Sequence, residues 1–172
     1  MQRVSRGDRE AFATVVELHS PALEGFAIRL LAQQSLAQEV VQETWIRAWQ
    51  KASHYNAGRS RLTTWLHQIT HNLCVDLLRR QQHEKRYATA SGPSESLAQS
   101  VEQDVVYQEA QAELTRAMAA LSERQRTALI LTYYQALPNR DVAEIMDLSV
   151  RAVESLLVRA RQQLKTTLEE SS

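Results

Sequence analysis

Three side chains in one short stretch can bind metals and have the spacing to do so together. In TTWLHQITHNLCVDLLRRQQHEKR (63–86), His67, His71 and Cys74 recur at i, i+4 and i+7. On a helix this puts two imidazoles and a thiol on one side, and both types are ordinary zinc ligands. A zinc-protease helix also needs Glu directly after the first His, where this chain has Gln68. The competing reading is ordinary surface and packing residues, and it is the default, so neither metal nor cofactor is expected. Nor does any glycine-rich phosphate loop or organised Ser, His and Asp set point to an enzyme.

Basic residues offer a second chemistry. SHYNAGRSRL (53–62) breaks the helical pattern with Asn56, Gly58 and Ser60 and carries Arg59 and Arg61. The helix that follows has Trp65 near its start and finishes on Arg79, Arg80, Lys85 and Arg86. A basic loop leading into an aromatic residue suits single-stranded nucleic acid. Cations at a helix C-terminus also suit the helix dipole alone.

A third candidate lies near the C-terminus. In DLSVRAVESLLVRARQQL (147–164), Val153, Leu156, Leu157, Ala160 and Leu164 share one face of a helix. Arg151, Glu154, Ser155, Val158 and Arg159 lie away from it. If that outer face enters a major groove, arginine can bind guanine or phosphate, Glu154 can accept from a cytosine amino group, and Val158 can meet a thymine methyl. A merely solvated face is the alternative.

The elements that position these residues read as helices throughout. Among 172 residues, 44% are hydrophobic, with only four glycines and three prolines, a composition for a globular all-α chain. No apolar run approaches the roughly 20 residues that span a bilayer. The opening MQRVSRGDREAF has no apolar signal stretch, and one cysteine cannot make an internal disulfide. A soluble, cytoplasmic protein without membrane insertion is expected.

The net charge of zero is segmented. Residues 1–90 hold twelve basic and eight acidic side chains, 91–115 hold none and five, and 116–172 hold eight and seven. ATASGPSESLAQSVEQD (88–104) is rich in Ser, Ala and Gln and has no aromatic residue, so it buries too little to offset its ordering entropy. The expected architecture is two small helical domains, 1–87 and 109–172, joined by a flexible acidic linker over 88–108, with little shared core.

Within the second domain, EAQAELTRAMAAL (109–121) has helical spacing, and Ser122 caps ERQRTALILTYYQAL. Pro138 fits the first turn of PNRDVAEIM. Asp147 tolerates a left-handed turn, and Ser149 caps the last helix. Small Ala143 at the crossing, with Val142, Met146, Leu148, Val153 and Leu156 around it, makes a helix-turn-helix pattern. In the first domain, SLAQEVVQETWIRAWQKA (35–52) is an amphipathic helix with Ser35 as its cap and Trp45 and Trp49 one turn apart.

AQEVVQETWIRAWQKA, then TTWLHQITHNLCVDLLRR, then LSERQRTALILTYYQALPNRDVAEIMDLSVRAVESLLVRARQQL occur in that order. Together they resemble the bacterial sigma-70 family, specifically its compact extracytoplasmic-function (ECF) group. The resemblance runs from about Gly7 to Leu168. It implies a subunit that binds core RNA polymerase and directs it to promoters, under control of a cognate anti-sigma factor. By the same resemblance QEVVQETW is the contact with the β′ clamp, which makes Glu39, Gln42, Glu43 and Arg47 the core-binding candidates, the β subunit being a further partner. The stretch from Tyr55 to Arg80 is the part that captures and melts the −10 promoter DNA, with Arg59, Arg61, Trp65, Asn72, Arg79 and Arg80 as candidates. The last helix is the −35 reader, with Arg151, Glu154, Ser155, Val158 and Arg159. Glu154 and Leu156 stand where many members carry basic residues, so the resemblance fixes the docking mode and not the base preference. A free-standing helix-turn-helix regulator has no need of the polar EVVQETW helix.

Overall fold

The computed structural model describes residues 1–88 and 114–171, and among them every regular element is helical. After a 3-10 turn, Val4–Arg6, come α1 (Arg9–Leu31), α2 (Gln34–Gln50), a second 3-10 turn at Ala52–His54, and α3 (Leu62–Ala88). The helix α4 runs through 114–120. Then follow α5 (Glu123–Leu129), a π-helical turn at Ile130–Tyr134, α6 (Asn139–Met146) and α7 (Val150–Ser171). Of the expected linker, Ala88 belongs to α3 and the rest lies outside the described residues, as do 109–113 of the expected helix 109–121.

The first lobe is a three-helix pack. Leu23, Phe26, Ala27 and Leu30 of α1, Val40, Val41, Trp45 and Ala48 of α2, and Leu66 and Cys74 of α3 are all buried. Phe12 meets Trp45 and Trp49 edge-on, at centroid distances of 5.9 and 5.0 Å, the geometry that ring quadrupoles favour. The α1 start is fixed by Asp8, which accepts from the Ala11 amide at 2.9 Å and from Arg3 at 2.7 Å. These two contacts, the amide first, hold its carboxyl below the usual value.

Periodicity did not single out α1, for a physical reason. It packs against α2, α3 and the π-helical turn at once, so its apolar residues spread around the wheel instead of forming one stripe. At the next junction, Ala32 ends α1 in the left-handed region (φ 54°) and the extended residue before α2 is Gln33. Ser35 therefore lies inside the first turn of α2 and does not cap it.

The second lobe follows its sequence signals closely. Ser122 and Gln125 form a reciprocal capping box at the start of α5. Pro138 precedes α6. Asp147 turns the chain at φ 52°, and the Ser149 hydroxyl accepts from the Ala152 amide at 3.2 Å. Val142, Ala143, Ile145 and Met146 of α6 pack with Val153, Leu157 and Ala160 of α7. That is a helix-turn-helix.

One expectation needs correcting. The lobes do not stand apart with separate cores: α3 packs on α6, α1 on the π-helical turn, and the buried apolar residues of both lobes form one cluster. Helices separated by the whole linker in sequence meet face to face.

Candidate nucleic-acid interface

The loop over 55–61 is braced from within. Asn56 accepts from the Gly58 amide through its side chain at 2.9 Å, and its carbonyl takes the Arg59 and Ser60 amides at 3.0 and 3.2 Å. Such Asx turns replace a backbone turn with a side chain. Tyr55 donates its hydroxyl to the Ser60 carbonyl at 3.1 Å and lies 5.2 Å from the Trp65 ring. The result is a short, held loop that presents Arg59 and Arg61 to solvent beside a half-buried Trp65. An open hollow lined by Arg3, His54, Tyr55, Asn56 and Gly58, among others, borders the loop. Asn56, expected only to break the helical pattern, and Tyr55, expected only to open the −10 stretch, are the residues that brace this loop; the Asn-x-Gly spacing was the available signal for the turn.

Along α3, Trp65, Asn72 and Arg79 follow at seven-residue intervals, a spacing that keeps them on one face. Asn72, Arg79 and Arg80 are exposed. The loop and this stripe make one surface with cations at both ends and an aromatic near the start. It can follow a phosphate backbone and offer a ring for a base to stack on.

His67, His71 and Cys74 face the opposite way, into the core. Burial lowers both imidazole pKa values, and it pushes the Cys74 thiol up to about 12. Among the described residues no three His, Cys, Asp or Glu side chains are grouped so as to hold a metal ion. His67 Nδ1 lies 2.8 Å from the Thr63 carbonyl, and the ring meets Phe26 at 5.7 Å. The three are brought together as packing.

On α2, Glu39 and Gln42 are exposed and Glu43 and Arg47 are half-exposed; Glu43 accepts from Arg47 at 2.8 Å. Between them on the same face stands Ile46, 46% exposed. A single exposed apolar residue is ordinary on a protein surface, and this one lies among the four polar candidates. The amphipathic pattern hid it, because it lies on the side counted as polar.

On α7, Arg151, Glu154, Ser155, Val158 and Arg159 are all exposed, with Val158 at 55%. Ser155 spends its hydroxyl on the Arg151 carbonyl at 2.9 Å, so in this state its proton is used within the helix. The five residues share one outward surface while Val153, Leu157 and Ala160 are buried.

One predicted nucleic-acid residue has a second engagement. The Arg61 guanidinium lies 3.5 Å from the Asp141 carboxylate of α6, which also accepts from the Thr64 hydroxyl at 3.2 Å. Gln68 donates to the Glu144 carbonyl at 3.4 Å, and Arg29 stacks 4.5 Å over the Tyr134 ring. The Arg61, Thr64 and Gln68 contacts join the lobes along the edge of the α3 stripe, and Arg29 joins α1 to the π-helical turn.

Comparison with known proteins gives a consistent picture. Residues 15–84 match the sigma-70 region 2 family and residues 111–164 match sigma-70 region 4. The ECF RNA polymerase sigma factor SigM of Bacillus subtilis is 32% identical over 81% of this chain and 84% of its own length. SigW of the same organism is 25% identical over 98% and 94%. The sigma factor RpoE of Bartonella quintana, solved in complex with the anti-sigma factor NepR, is 28% identical. It superposes with a TM-score of 0.74 over 93% of this chain and 98% of that one. CnrH, solved with the cytosolic domain of CnrY, has the same fold, with a TM-score of 0.75 over 99% and 96% at 23% identity.

Proposed function

From the premise that the chain belongs to the ECF group of the sigma-70 family, we propose the division of labour among its surfaces. The α2 face with Glu39, Gln42, Glu43 and Arg47 binds the β′ clamp of core RNA polymerase, with Ile46 as an apolar anchor. The loop with Arg59 and Arg61, and Trp65, Asn72, Arg79 and Arg80 of α3, hold the −10 strand. The α7 face with Arg151, Glu154, Ser155, Val158 and Arg159 reads the −35 element. The protein is an initiation subunit with no catalytic role of its own, and it works where the polymerase does, in the cytoplasm.

The observation that carries this reading is the pairing of a helix-turn-helix, its outer face exposed, with a braced basic loop that leads into an aromatic residue. A regulator that only binds duplex DNA needs the first and not the second. Transcription in vitro with purified core enzyme tests it: promoter-specific transcripts that require the added chain support the reading, and none appearing on any promoter in a genomic library overturns it.

Control by an anti-sigma factor is supported by the placement of the lobes. A high superposition score over nearly the whole of a two-lobed chain requires both lobes to take the same mutual placement, and the partner here is a sigma factor captured with NepR. Candidate anti-sigma domains titrated into the transcription reaction test this. One that silences it must also compete with core enzyme for the chain.

A further inference from the structure

Asp141 lies in the first turn of α6. It is only 7% exposed, yet both side-chain partners of its carboxylate come from the other lobe, Thr64 and Arg61. A carboxylate removed from water has to be paired or hydrogen-bonded, and here the pairing exists only while α6 lies on α3. Nothing in the fold of the second lobe requires that pairing. At the start of α6 the carboxylate is also favoured by the helix dipole, so it remains tolerable when hydrated.

We propose that Asp141 is an autoinhibitory latch, a carboxylate that occupies the Arg61 and Thr64 end of the −10 surface in place of a nucleic-acid phosphate. This rests on the assignment of that surface under the proposed function. The closed arrangement cannot serve promoter binding at both ends. Elements at −10 and −35 lie about 25 base pairs apart, or roughly 85 Å at 3.4 Å per base pair, whereas α3 and α6 are within hydrogen-bond distance. The lobes therefore part on a promoter. Parting them frees Arg61 at the moment a phosphate is needed there, so DNA and Asp141 compete for one guanidinium. Gln68 with Glu144 and Arg29 with Tyr134 add weaker contacts to the same closed state.

The test uses the full chain carrying donor and acceptor dyes at two exposed positions, one in each lobe, Glu17→Cys and Lys165→Cys. Energy transfer is measured without polymerase or DNA, so it reports the latch whether or not the chain initiates transcription. The original chain is expected to give mainly high transfer. Asp141→Asn and, independently, Thr64→Val are expected to raise the low-transfer population about fivefold or more, the lower end of ordinary coupling between sites. Affinity for a single-stranded oligonucleotide of −10 sequence should rise by a similar factor in Asp141→Asn. Arg61→Ala should also open the lobes, but with weaker oligonucleotide binding. Identical transfer in the original chain and both latch variants, with helix content unchanged, overturns the proposal. So does opening without any gain in oligonucleotide affinity. A failure of all transcription by the original chain would sink the initiation reading and leave the transfer result standing.

Discussion

Glu43 and Arg47 are paired at 2.8 Å one turn apart on the outer face of α2, with Ile46 exposed beside them. An exposed i, i+4 pair contributes only a few tenths of a kcal/mol to a helix, so its loss should hardly change folding. Gln42→Ala combined with Glu43→Ala should instead weaken binding to core polymerase, by on the order of 1.5–3 kcal/mol if a charge-assisted hydrogen bond is lost. Ile46→Asp should do the same by removing the apolar anchor. Titration of labelled core enzyme checks both, and unchanged affinity in both variants would place the clamp contact elsewhere.

On α7, Arg159→Ala and Glu154→Arg should differ in kind. If Arg159 meets phosphate, its loss should weaken promoter binding similarly across sequences and make the salt dependence shallower. Glu154→Arg replaces an acceptor with a donor and should shift preference at one or two base pairs by roughly 1–3 kcal/mol each. A randomised −35 library transcribed by both proteins separates the outcomes, and identical preferred sequences would mean that Glu154 reads nothing.

The two buried imidazoles set an acid limit. Burial lowers the pKa values of His67 and His71 from 6.5, so the folded state favours their neutral forms. Their contribution to stability is complete above 6.5, the value expected in the unfolded chain, and declines as pH falls from there through the lowered folded values. Urea midpoints should therefore fall on acidification below pH 6.5, with a shallower slope in His67→Gln. A midpoint flat down to pH 5 in the original chain would contradict the burial of both rings.

Asp147 offers a route to a more stable domain. It holds φ 52° at an exposed position, and its backbone amide supplies the turn contacts. Asp147→Gly relieves a conformation that costs side-chain-bearing residues about 1 kcal/mol, partly offset by the greater entropy of glycine in the unfolded chain. A slightly higher Tm is expected, whereas Asp147→Val should lower it by several degrees. Differential scanning calorimetry reads both.

What was legible in the sequence is the set of features governed by near neighbours. The Ser122 box, the turn at Asp147 and the Ser149 cap depend on residues three or four places away, and each has its expected form. Ser35 was misread because capping is decided by which residue is extended, and the left-handed Ala32 gave that place to Gln33. The π-helical turn at Ile130–Tyr134 has no compositional signature to betray it. The joint between Asp141 and Thr64 spans 77 residues of sequence, and no periodic pattern encodes a partner at that distance. Of the candidate surfaces, the residue types are readable, but the exposure of Ile46 and the double engagement of Arg61 arise only from how the helices pack.

The burial of Cys74 has a consequence for oxidative stress. Peroxides and disulfides attack the thiolate, and susceptibility follows thiolate character and exposure. Here the sole sulfhydryl of the chain is fully buried with its pKa pushed up to about 12. While folded, the chain is therefore expected to resist sulfenic acid formation, glutathione capture and covalent dimerisation at Cys74. Of this chain's side chains, then, the thiol is not the one placed to sense oxidant directly.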